Sequence, residues 1–184
     1  MKGLNKAATI ITKILEVFHW VGTALMAVAT VCSVAAPQLL KYLVSIDAKE
    51  CCGAELSIYG FEVHAPVVNG SVDMTIFLLF GIGATIIFVL MALVFRNVYL
   101  VFKKSENATP FQKENVCRLR KIGIFSIAVP VIGFVMSIIV RLVAGDVVEV
   151  SVGQSGIFMG IVVLCLTQYF SYGAALEEDV DGLV

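Results

Sequence analysis

The chain has 184 residues, of which 59% are apolar and only 15% charged, with a formal net charge of −1. A soluble domain of this length keeps its apolar segments short, but here they are gathered into blocks that match a bilayer core of about 30 Å. Composition therefore excludes an ordinary soluble domain and predicts an all-α membrane protein, a single membrane domain over residues 1–184.

The first apolar block covers residues 14–36 and follows Lys2, Lys6 and Lys13. It exceeds the 7 to 15 or so residues of a signal-peptide core, so it is expected to remain as a transmembrane helix. Glu16 and His19 fall three apart near its start, with Trp20 beside them. That spacing puts the two ionisable groups on one helical face, as a pair or as an anchor at the headgroup level.

Residues 37–71 form the first outer loop. Its adjacent Cys51 and Cys52 would bond each other only through a strained ring. No third cysteine lies in the outer segments, so an intersubunit disulfide is the oxidised form that remains open to them. Polar and apolar residues alternate over 56–63 and again over 147–152, which predicts two short strands, the first bent or bulged at Gly60. Together they make a small extracytoplasmic β cap. Asn69-Gly70 reads as a turn.

The second span is expected at 72–95, with Gly81 and Gly83 as close-contact points. A loop over 96–121 follows, and its "TPFQ" places a capping residue at Thr109, proline at the first helical position and Gln112 three residues after the cap. A helix is predicted to start there and to run without a break through "RLRK" into the third span at 122–140, with Pro130 as a kink or contact point. Moving Arg118 or Arg120 to the bilayer centre would cost roughly 3 kcal/mol each, so these guanidiniums mark where lipid ends.

A second outer loop covers 142–155 and the fourth span 157–176. The span opens on "GIFMG", a GxxxG spacing for close helix contact within the chain or between copies in a homo-oligomer. The tail over 177–184 carries Glu177, Glu178, Asp179 and Asp181 at a helix C-terminus, where the dipole disfavours acids. Arg118, Arg120 and Lys121 are the expected partners, with a free acidic tail meeting a basic protein as the alternative.

Ten basic residues (Lys2, Lys6, Lys13, Arg96, Lys103, Lys104, Lys113, Arg118, Arg120, Lys121) flank the spans on one side and three (Lys41, Lys49, Arg141) on the other. The positive-inside rule then puts both termini and residues 96–121 in the cytoplasm of a multi-pass inner-membrane protein. No Ser/His/Asp, HExxH, Walker or CxxC pattern occurs, so a non-enzymatic protein without cofactor or metal is expected.

The stretch "TPFQKENVCRLRKIG", with Pro110, Phe111, Glu114, Asn115, Arg118, Leu119, Arg120, Ile122 and Gly123, and the ending "YGAALEEDVDGLV" resemble a bacterial family of four-span membrane proteins catalogued as domain of unknown function 2975. The resemblance covers nearly the whole chain, and the outer cysteine pair departs from the family pattern. It implies a membrane component paired with a small helix-turn-helix regulator, with no direct contact to nucleic acid. The expected function is therefore a membrane-anchored regulatory or interaction partner of a small cytoplasmic protein. Its site residues are Glu114, Asn115, Arg118, Arg120 and Lys121, facing Glu177, Glu178 and Asp179. A small oligomeric transporter or channel is the alternative.

Overall fold

The computed structural model describes residues 2–36, 38, 54–65, 67–68, 71–105, 111–145 and 149–181. It is mostly helical, with elements in the order α1 (Lys2–Ala35), β1 (Ala54–Ile58), β2 (Phe61–Ala65), β3 (Val67–Val68), β4 (Ser71–Val72), α2 (Met74–Lys104), α3 (Lys113–Ala144), β5 (Glu149–Val152) and α4 (Ser155–Asp181). All four helices are long and apolar enough to cross a membrane, over Asn5–Ala35, Met74–Lys104, Lys113–Ala144 and Ser155–Asp179. The third and fourth expected spans fall inside them, whereas the first overruns α1 by one residue, Ala36, and the second begins two residues before α2, at Val72 in β4. Residues 96–104, expected as loop, continue α2, and residues 177–181, expected as tail, continue α4.

Helix starts follow local chemistry. Asp73 caps α2: its Oδ1 accepts from the Thr75 N–H at 2.7 Å and its carbonyl from Phe77 at 3.0 Å. The start of α3 corrects the sequence expectation, because the helix begins at Lys113 rather than Pro110. The Gln112 carbonyl takes the first amides, from Asn115 at 2.8 Å and Val116 at 3.2 Å. Phe111 lies in a turn ahead of the helix, its ring 5.4 Å from that of Phe170 and pressed on Gly173, where an added Cβ would come within 2.7 Å of it. That packing holds Phe111 off the helix path; Thr109 and Pro110 lie outside the described residues. From Lys113 the helix runs unbroken through "RLRK" and Pro130 to Ala144, as expected.

The residues form two compact units, Met1–His19 with Leu90–Ala128 and Ser155–Val184, and Trp20–Val89 with Val129–Gln154. In the first unit, Gly123 of α3 and Gly160 of α4 meet. A Cβ on Gly160 would lie 2.4 Å from Ile127 and 2.8 Å from the Gly123 carbonyl. The second glycine of "GIFMG" is thus used within the chain.

The second unit carries an antiparallel sheet in the order β1-β2-β5 and a β3-β4 pair flanking Asn69 and Gly70. The expected bent strand is instead a hairpin. Tyr59 (φ 47°) and Gly60 (φ 81°) both take positive φ, which closes a tight two-residue turn whose twist suits the flanking strands. Gly60 has a second duty. Its carbonyl accepts from the Gly153 N–H at 2.7 Å, and any Cβ there would come within 2.9 Å of the Gly153 backbone.

The strands alternate faces. Phe61 and Val63 turn inward and are buried, Phe61 stacking on Phe80 of α2 at 5.4 Å between centroids. Gly83 and Gly133 leave room for that ring: a Cβ on either would contact Phe61 at 3.2 and 3.4 Å. Gly81 similarly admits Thr30 of α1, whose Oγ1 would lie 2.2 Å from an added Cβ.

Helix α1 buries polar groups and exposes apolar ones. On α1, Thr12, Glu16 and His19 are buried in the first unit and Thr30 and Ser33 in the second, while Ile10, Ile14, Val17, Phe18, Val21, Leu25, Val28 and Val31 are exposed. The inward hydroxyls are satisfied by their own helix, Thr12 donating to the Ala8 carbonyl, Thr30 to Met26 and Ser33 to Thr30, each at 2.7 Å.

Because Phe61 joins the sheet to the helices of its unit, Phe61→Ala is expected to cost about 3–5 kcal/mol and Phe61→Leu clearly less. Thermal unfolding of the detergent-solubilised protein checks this, and an unchanged midpoint for Phe61→Ala would contradict the packing.

Candidate functional site, a charged face at the helix ends

The charges of the first unit collect where α2 ends, α3 begins and α4 ends. Lys103 and Lys104 occupy the last turn of α2, and Glu114 the first turn of α3. Each sign complements the partial charge of its helix terminus. Lys104 Nζ donates to Glu114 Oε2, and Arg118 Nη2, one turn further along α3, lies 3.8 Å from the same oxygen. Beside them Asn115, 1% exposed, reaches Ser105 Oγ from its Nδ2 at 3.5 Å. Lys113 meets Glu178 of α4 at 2.8 Å.

The structure therefore brings Glu114, Asn115 and Arg118 together, but differs from the expected pairing of the acidic tail with Arg118, Arg120 and Lys121. Helical phase explains the difference. Arg118 lies about 140° round α3 from Lys113, so the side chain facing Glu178 is Lys113 while Arg118 turns to Glu114. Arg120 does share Lys113's face, but about 10 Å further along the axis. Arg120 and Lys121 are exposed, and among the described residues no acid lies within ion-pair distance of either. Asp179 is exposed as well, and Glu177 half-buried. Arg118 is largely covered, and among the described residues its buried Nε has no acceptor.

Lys104, Lys113 and Ser105 are partners that sequence reasoning missed. Oppositely charged residues in the last turn of one helix and the first turn of the next were the available signal.

The hydrogen bond and charge of Lys104, with a smaller contribution from Arg118, hold the Glu114 carboxyl below its ordinary range. A depressed folded-state value stabilises the pair above the usual carboxylate range, and that contribution is lost as pH falls through the folded value.

A second charged cluster lies on α1. Glu16 pairs with Lys13 at 3.0 Å, where the sequence allowed a pair with His19. His19 directs Nδ1 to the Leu15 carbonyl at 2.7 Å, so this nitrogen carries the proton, and its ring lies 4.8 Å from Phe95. Glu16 is 6% and His19 3% exposed, so both are core groups of the unit, where the sequence also allowed an interfacial anchor. The Lys13 ammonium lies over the Tyr99 ring, 5.0 Å from its centroid, with Lys103 over the same ring at 5.5 Å.

Cys51 and Cys52 lie outside the described residues, and with them the intersubunit disulfide; Cys32, Cys117 and Cys165 are free thiols. Among the described residues no three His, Cys, Asp or Glu side chains converge as metal ligands.

No family model matches the chain, and neither a curated protein nor a solved structure matches it. The resemblance to the four-span family rests on the residues quoted for it.

In a carboxyl-carbon NMR titration, Glu114 is expected to protonate below the ordinary glutamate range, and at a higher pH in Lys104→Met than in the unaltered protein. Equal midpoints would contradict the Lys104–Glu114 interaction.

Proposed function

We propose that this chain is a non-enzymatic, multi-pass inner-membrane protein with both termini in the cytoplasm. There it serves as the membrane-anchored regulatory or interaction partner of a small cytoplasmic protein, such as a helix-turn-helix regulator. The reading rests first on four apolar helices whose exposed faces are rich in Ile, Val, Leu and Phe, a surface that lipid covers without cost. The ten-to-three distribution of basic residues supports the orientation.

The observation that carries the interaction role is uneven charge compensation. Glu114, Arg118, Lys104, Lys113 and Glu178 are engaged with one another. Arg120 and Lys121, beside them on α3, stay exposed without an acid among the described residues. The engaged set locks the face, and the two remaining bases are available to anionic headgroups and to an acidic patch on a partner. The family resemblance and its two-protein arrangement point the same way.

A second reading has its own support. The inward face of α1 carries Thr12, Glu16 and His19, which is the kind of buried polar set a transporter would use. Its copies would have to associate through surfaces other than Gly160, which is occupied within the chain.

Gently solubilised wild-type protein is expected to retain a small cytoplasmic partner that is lost from Arg120→Glu with Lys121→Glu, the two variants being equally stable. If mass spectrometry finds no retained protein at low salt, the interaction role fails. Solute or ion flux in purified liposomes, abolished by Glu16→Gln, would favour transport instead.

A further inference from the structure

We propose that Glu16 and Tyr99 form a binding site for a primary ammonium ion, and that the ammonium of Lys13 occupies it as a tethered ligand. The proposal concerns the α1–α2 contact and does not depend on the interaction role.

Glu16 is the acid of the site. It is more than nine-tenths buried, and its Oε2 lies 3.0 Å from Lys13 Nζ. A carboxylate so enclosed is costly unless a cation meets it. The aromatic wall is Tyr99 on α2, whose centroid lies 5.0 Å from the same Nζ, within the range in which a cation is drawn to a ring face. One ammonium is thus held by an acid on one helix and an aromatic face on the other, a pair of contacts that recognises amines as a class.

The neighbouring polar groups do not compete for this role. The Thr12 hydroxyl is committed to the Ala8 and Thr9 carbonyls, and His19 Nδ1 to that of Leu15. Lys103 lies over Tyr99 at 5.5 Å, so the ring already accommodates two cations, and among the described residues Lys103 forms no ion pair with Glu16.

What makes the site exchangeable is the difference in burial between the partners. The Lys13 side chain is 48% exposed and that of Glu16 8%. The acid is enclosed, whereas the lysine reaches in from a half-open position, where another ammonium can take its place at the carboxylate. An external primary ammonium then finds the same carboxylate and the same ring. Its source is either a free amine or the ethanolamine headgroup of a phospholipid.

The test removes the tether in the full-length protein. Lys13→Ala in detergent is expected to lose about 5 °C or more of thermal midpoint, because the buried carboxylate is left unpaired. n-Butylammonium should restore more than half of that loss, while 1-butanol, of like size and uncharged, should not. With Glu16→Gln added, the amine response should vanish. Lys13→Met, which keeps the volume of the stem, carries the same comparison if Lys13→Ala does not accumulate.

Restoration by the soluble amine identifies a free ammonium as a sufficient ligand. Restoration only in bilayers of phosphatidylethanolamine, and not of phosphatidylcholine, identifies the headgroup as the source. A wild-type midpoint in both Lys13 variants, equal rescue by butanol, an amine response that survives Glu16→Gln, or no rescue from either source would each overturn the proposal.

Discussion

The hydroxyls buried on the long apolar helices find their acceptors on their own helices, and the rest of the arrangement depends on this. Thr12, Thr30, Ser33, Thr85 and Thr167 each donate to a carbonyl of their own helix. His19 does the same through its ring nitrogen, and Glu16 takes a lysine three residues back. Once these groups are satisfied locally, the outward faces are free to be largely apolar. This division suits a surrounding that offers no hydrogen bonds, where internal satisfaction is the only alternative to an unsatisfied group. It also lets helices approach closely, since a hydroxyl folded back on its own backbone occupies little more space than a methyl. Thr30 against Gly81 is such a contact.

Small residues set the remaining geometry. Gly83 and Gly133 make space for Phe61, and Gly123 and Gly160 bring α3 and α4 together. Gly60 differs, being required both by its positive φ and by the nearness of Gly153. The sheet is therefore attached to its unit by an aromatic ring at one point and by backbone contact at another. Neither attachment uses a charge.

Much of this was legible in the sequence. Block length and composition identify four helices, and the alternation over 56–63 and 147–152 identifies strands, because burial forces periodicity on the chain. The uninterrupted run from Lys113 through Arg118 and Arg120 into the apolar segment was legible too, since nothing in it breaks a helix. Three points were not. The capping pattern at Thr109 is good local chemistry, but the contact of Phe111 with Phe170, distant in sequence, fixes the start of α3 instead. The hairpin at Tyr59-Gly60 was hidden because tyrosine seldom takes a positive φ. The pairing of the acids depended on rotation about α3, and composition shows that opposite charges lie near one another without showing which of them meet. Glu178 meets Lys113 and Glu114 meets Lys104 for that reason.

The link from Lys104 to Glu114 ties the last turn of one helix to the first turn of the next through exposed side chains. Contacts of that kind weaken as mobile ions accumulate around them, over a screening length of about 8 Å at physiological ionic strength. The Phe111–Phe170 contact and the buried Asn115 are indifferent to such screening. Dissolved salt thus acts on the electrostatic half of this chain reversal and leaves the hydrophobic half in place, so the helix ends can loosen without the aromatic anchor letting go.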